Sequence, residues 1–170
     1  MGNTMHNVKI AVGLIVLALS PTGSVLAQSS TFSAQAEILD AIQLTKDADL
    51  AFGKIVADPV SGFDVTVDTT GAQNCPVGQV CFGTSTAAAF TVSGTGDNNY
   101  AVTLPVAAAI THATSSSTML VKDFVTSLTN DRGQLTAGSD SFTLGATLEI
   151  AAAQEPGAYS GTFNVSVDYE

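Results

Sequence analysis

Gly157-Ala-Tyr-Ser-Gly-Thr-Phe-Asn-Val-Ser-Val-Asp-Tyr-Glu170, the last fourteen residues of the chain, decide its fold. From Gly161 onward apolar and polar residues alternate. Phe163, Val165, Val167 and Tyr169 share one face, and Thr162, Asn164, Ser166 and Asp168 share the other. Side chains on a strand alternate with period two, so the stretch predicts a β-strand with one buried face running to the chain end. Val167 and Tyr169 are expected to be largely buried. Gln154-Glu-Pro-Gly157 places Pro and Gly together, as a tight turn requires. The apolar run Phe142 to Ala152 precedes that turn, and the two runs predict a hairpin that closes the domain.

The same period recurs upstream. Phe32, Ala34, Ala36 and Ile38 alternate; the phase shifts near Leu39-Asp40, and Ile42 and Leu44 resume it. Asp47-Ala-Asp49 reads as a turn before the strand Leu50 to Val56. Asp58 to Gly62 is a turn before Phe63, Val65 and Val67. Ala87 to Ser93, Tyr100 to Leu104 and Met119 to Leu128 read as strands separated by Gly-, Asn- and Asp-rich turns. Val106 to Ile110 is compatible with a short helical turn, and His112 to Thr118 is a Ser/Thr-rich loop. The pattern predicts an all-β, antiparallel, immunoglobulin-like β-sandwich of about seven to nine strands.

Residues 1–27 read as a secretory signal peptide. Lys9 lies in a polar start, Ile10 to Leu19 are apolar, Pro21 breaks the run, and Val25-Leu-Ala27 suits cleavage. The apolar stretch is about half of the ~20 residues that span a bilayer, so a membrane anchor is not expected. Residues 28–170 would then form one domain that is exported through the periplasm to the cell surface or medium, with no membrane contact after cleavage. Beyond the signal only Lys46, Lys54, Lys122 and Arg132 are basic, against fifteen acidic residues. Such a surface repels nucleic acid and anionic lipid. Cys75 and Cys81 enclose a five-residue loop. Export favours a disulfide between them; two thiols without a His or a second pair make a poor metal set.

No motif carries catalysis. His112 is the one histidine beyond the signal, and it lies in low-complexity surroundings without a nucleophile elbow, so it reads as a solvated loop residue. Asp47 and Asp49 read as solvated turn residues. Gly94 to Asn99 lacks the third Gly, the Lys and the helix of a phosphate loop. Asp97, Asn98 and Asn99 offer oxygens of the kind calcium accepts, but as a hairpin loop rather than a built site. No enzyme activity, cofactor or metal is expected.

The ordered motifs Asp49-Leu-Ala-Phe-Gly53, Phe90-Thr-Val-Ser-Gly94, Tyr100-Ala-Val-Thr-Leu-Pro105 and Gly157 to Tyr169 resemble those of a secreted bacterial family known only as a domain of unknown function. The first and last also resemble archaic chaperone–usher pilins and spore-coat-U-like domains. Pilins end in an alternating strand with a penultimate Tyr, here Tyr169, and a Gly fourteen residues from the end, here Gly157. The chain departs from typical pilins in its cysteines, which lie together in one mid-chain loop. The resemblance implies a structural subunit of a surface pilus or fimbria-like polymer, assembled by donor-strand exchange. Its partners would be copies of itself or related subunits, with a periplasmic chaperone and an outer-membrane usher. Phe32, Ala34, Ala36 and Ile38 have the form of a donor strand, and equally of an ordinary first strand within their own domain. The alternative function is a self-complete secreted β-sandwich that binds or adheres through loops such as Asp97–Asn99 and His112–Ser117.

Overall fold

The computed structural model describes residues 28–170, so the expected signal peptide lies outside the described residues. The chain divides after Ala36. Residues 28–36 form neither helix nor strand, and the same holds for 37–41. The expected strand over Phe32–Ile38 is therefore not formed. Phe32 is 91% exposed and Ile38 95% exposed. Alternation gives a segment a face to bury, but a strand exists only when a neighbour completes its ladder, and no strand of the described residues pairs with this one.

Residues 43–169 carry thirteen strands, and there is no helix among the described residues. The strands are β1 (Gln43–Ala48), β2 (Lys54–Val56), β3 (Phe63–Val67), β4 (Gln73–Asn74), β5 (Val80–Phe82), β6 (Ala88–Ser93), β7 (Asn99–Thr103), β8 (Ala107–His112), β9 (Thr118–Thr126), β10 (Arg132–Gln134), β11 (Ser139–Ile150), β12 (Tyr159–Ser160) and β13 (Ser166–Tyr169). The fold is all-β, with every sheet antiparallel, as a β-sandwich requires.

The twelve-residue β11 is the centre. Its first half pairs with β6, setting Phe142 opposite Phe90, and its second half pairs with β3, setting Leu148 opposite Val65. Its other edge pairs with β9. Leu144 to Leu148 are buried at consecutive positions, so both faces of the strand are covered there. The large sheet runs β1-β6-β11-β9-β8-β12, and a second sheet, β10-β7-β13, packs its apolar side chains into the same core as β6 and the first half of β11.

One stretch the sequence left ambiguous is resolved here, and one expectation fails. Val106 to Ile110 forms no helical turn; Ala107–His112 is a strand paired with β9, because Ala108, Ile110 and His112 alternate against it. The closing hairpin does not form either. Both edges of β11 are already occupied, so the end of the chain crosses over and β13 pairs with β7 instead.

The core has two clusters. One joins Phe90, Val92, Tyr100, Val102, Leu135, Phe142, Leu144 and Val167. Phe90 and Phe142 stack at 5.2 Å, and Tyr100 donates its hydroxyl to the Asp140 carboxylate at 2.8 Å. Burial, then that hydrogen bond, push the Tyr100 hydroxyl well above the usual phenol range. The other cluster joins Val65, Val121, Ala146, Leu148 and Ile150. The expected disulfide is formed: Cys75 and Cys81 are joined with Cα atoms 6.0 Å apart, and Cys81 packs against the second cluster.

Candidate functional site

The second cluster is not fully covered. Above it lies a groove of about 1270 Å³. Its floor is Ala88 and Phe90 of β6, Val121 of β9, and Leu148 and Ile150 of β11, with Ile110 and Met119 at one side. One wall is Leu44, Lys46 and Ala48 of β1, continuing through Leu50, Phe52 and Ile55. The opposite wall is Gly157 to Val165. The first wall faces inward at every second residue because β1 is a strand with period two.

The second wall has an unusual backbone. Tyr159–Ser160 pairs with β8 and Ser166–Tyr169 pairs with β7, so Gly161–Val165 carries the chain from one sheet to the other. This stretch pairs with no strand of the described residues. On the first wall, Ala51 makes a single bridge to Thr86. The groove is thus an apolar trough between a wall whose strands β1 and β2 are paired on one edge only, with β6 and β5, and the unpaired stretch Gly161–Val165, a geometry to which an extended peptide can add as a strand.

The C-terminal residues singled out in the sequence take separate roles. Phe163 and Val165 are half-buried in the groove wall, with the Phe163 ring 4.9 Å from that of Phe124. Val167 is buried in the first cluster. Tyr169 is half-buried rather than largely buried, because its hydroxyl is a surface tie: it accepts from the Thr95 amide at 2.8 Å and donates to the Asp40 carbonyl at 3.1 Å. Gly94 lies beneath that hydroxyl, where a Cβ would overlap it. Gly157 ends the turn Gln154–Gly157 at φ +154°, and a Cβ there would overlap the imidazole of His112. The donor-type residues Phe32, Ala34, Ala36 and Ile38 are exposed.

His112 is a correction. It is the last residue of β8, only 9% exposed, and not a solvated loop histidine. Its Nδ1 accepts the backbone N–H groups of Thr114 (3.3 Å) and Ser115 (3.1 Å). That fixes the ring proton on Nε2, which donates to the Pro156 carbonyl at 3.1 Å. Tyr159 packs edge-on at 5.0 Å. The hydroxyls of Ser115 and Ser117 donate to the Glu155 carboxylate, and these two bonds, Ser117 first, hold Glu155 below the usual carboxylate range. Ser, His and Glu are together here, but neither imidazole nitrogen faces a hydroxyl, so the cluster ties a corner together rather than activating a nucleophile. The sequence signal that could have found it is the strand phase of Ala108, Ile110 and His112, masked by the Ser and Thr that follow.

Lys46 and Lys54 lie on the groove rim. Lys46 pairs with Asp49, and Lys54 sits 5.9 Å over the Phe82 ring. No group of three or more metal-ligating side chains occurs among the described residues, and Asp97 ties its loop to the turn before β11 by accepting the Ala137 amide.

A family model described as a domain of unknown function (DUF4402) matches residues 42–169. No curated protein and no solved structure matches the chain. The chain belongs to the DUF4402 family, whose matched region spans β1 to β13 and every residue of the groove.

Proposed function

We propose that this protein is an exported structural subunit of a surface pilus or fimbria-like polymer, joined to its neighbours by donor-strand exchange. The observation that carries the reading is the apolar groove between Leu44–Ile55 and Gly157–Val165, in a chain whose alternating segment Phe32–Ile38 is exposed. An incoming segment gains backbone hydrogen bonds along Gly161–Val165 while its alternate side chains cover Phe90, Val121 and Leu148. The occupant is residues 28–38 of another copy. Phe32 and Ile38 are large enough to fill pockets, and Ala34 and Ala36 let the strand sit close to the floor. Glu37, the one charged residue of the segment, can meet Lys54 on the rim, where Lys46 is already paired with Asp49.

Likeness to pilins and spore-coat-U-like domains supports the same reading through Asp49–Gly53, Gly157 and Tyr169. Export follows from the signal-like residues 1–27 and agrees with the disulfide. A periplasmic chaperone would cover the groove before assembly, and an outer-membrane usher would order the exchange. The rival reading, a loop-based binding module, gains nothing from His112, Ser115 and Ser117, whose polar atoms are bonded within the corner.

The test is Ala36→Arg. A charge carried into an apolar groove without a partner costs several kcal/mol, about 3 or more. Unheated, non-reducing gels of wild type should show a ladder, and the variant should run as a folded monomer whose own groove still accepts a wild-type 28–38 peptide. A wild-type protein that stays monomeric at high concentration with its chaperone and usher present would overturn the reading.

A further inference from the structure

The groove's second wall begins at a corner that only a neutral histidine can close. We propose that His112 is a proton-operated latch on this corner: protonation at Nδ1 releases the Thr114 and Ser115 amides and so frees the turn whose Ala113 amide and Ser115 hydroxyl tie Ala158 and Glu155 to β8, loosening the start of the groove wall. The corner claim stands on its own geometry; its consequence for strand exchange rests on the groove reading above.

Nδ1 accepts two backbone N–H groups. A proton there removes the acceptor and sets a third donor against two others. Nε2 is already a donor to Pro156, so the ring cannot shift tautomer to escape. Nor can the ring tilt freely, because it is buried, flanked by Tyr159, and covered by Gly157 at the distance only a glycine allows. Histidine is the side chain whose ordinary titration falls between pH 5 and 8.

The other ionisable groups around the ring are few. The loop from Ala113 to Thr118 has none. The segment from Ala151 to Gly161 contributes Glu155 and Tyr159; Tyr159 donates to the Glu155 carbonyl and accepts from Gln154. On β9 the first charged residue is Lys122, opposite Ala107 at the far end of β8. Glu155 alone opposes the latch, because its carboxylate attracts an imidazolium. It is already engaged by Ser115 and Ser117, and its attraction offsets the charge without restoring the lost acceptor.

The experiment is amide hydrogen exchange on residues 28–170 at about pH 7.5 and about pH 5, corrected for intrinsic rates. The amides of Thr114, Ser115 and residues 157–161 should lose protection at least about tenfold at the lower pH, while those of β6 and β11 hold. His112→Asn keeps an oxygen acceptor for the N–H groups two and three residues on and cannot titrate. It should erase the pH response, whereas Glu155→Gln should keep it. Equal protection at both pH values, or a response that persists in His112→Asn, overturns the latch. If His112→Asn does not fold, nitrogen shifts of the wild-type imidazole decide: a proton on Nε2 at neutral pH that is joined by one on Nδ1 as the corner opens supports it, and an Nδ1–H ring at neutral pH overturns it. A 28–38 peptide added at both pH values separates the two claims. Weaker binding at low pH in wild type alone ties the latch to the groove, and equal binding breaks that tie. Binding at neither pH defeats the groove reading and leaves the exchange result to judge the corner.

Discussion

The two core clusters of this domain draw on different strands, β6, β7 and β13 for one and β3 and β9 for the other, and meet on β11, but they end differently. The cluster around Tyr100, Leu135 and Leu144 is capped by β7 and β13, and these three side chains are 0% exposed. The cluster around Val121 and Leu148 lies on β9 and β11, yet its cover is the groove, and its outer members Phe52, Ile55, Ile110 and Met119 are only half-buried. One central strand, β11, serves both. The difference lies in what covers each half: the first is packed by β7 and β13, and the second faces the groove.

That contrast predicts unequal costs. Leu144→Ala should cost about 2–5 kcal/mol, as deletion in a closed core does, read by urea or thermal unfolding. Ile110→Ala on the groove side should cost under about 1 kcal/mol, because much of that surface already meets water, and more once a 28–38 peptide is bound. Equal costs would erase the distinction between the clusters. Next in size is Gly157→Ala. The backbone at φ +154° and the overlap with His112 together should cost about 2 kcal/mol or more, with the loss of protection confined to residues 112–118 and 154–161. A change spread through β6 and β11 would show that the corner is not a separate unit.

Tyr169→Phe removes only the hydroxyl that ties Thr95 to Asp40, and should cost about 1 kcal/mol while leaving the groove unchanged. The smallest effect is Asp68→Ala. The Thr70 hydroxyl and amide and the Ala72 amide all donate to Asp68, and these bonds, the Thr70 side chain first, hold its carboxyl below the usual range. A depressed carboxylate contributes stability that is present above its unfolded value and lost as pH falls through the folded one. The acid limb of the stability curve should therefore be shallower in the variant, and an unchanged limb would remove Asp68 as a contributor.

Period two was enough to locate most strands, because Phe63–Val67, Ala88–Ser93 and Asn99–Thr103 each bury alternate residues. It could not assign partners. The run Phe142 to Ala152 and the C-terminal strand looked like neighbours because a turn joins them, but pairing depends on which edges of β11 remain free, and that is settled by β3, β6 and β9 from elsewhere in the chain. Phe32–Ile38 alternates as well as any strand and forms none, since alternation says which face would be buried and not whether anything covers it. His112 was hidden for a related reason. Its neighbours are Ser and Thr, and only the fold brings Pro156 and Gly157 over the ring. The stretches Asp49–Gly53 and Gly157–Tyr169 stood out in the sequence only as motifs of a resemblance; that Asp49–Gly53 and Gly157–Val165 face each other across a groove is a property of the fold that no local pattern records.

The central claim is that the second cluster lacks one strand and that residues 28–38 are of the kind that completes it. The most direct measurement is thermal unfolding of residues 39–170 against increasing concentrations of a 28–38 peptide. The account predicts a saturable rise in Tm, abolished when the peptide carries Ala36→Arg, together with a gain in protection at residues 161–165. A Tm that does not move at any peptide concentration, in a protein that is folded and monomeric alone, would contradict it.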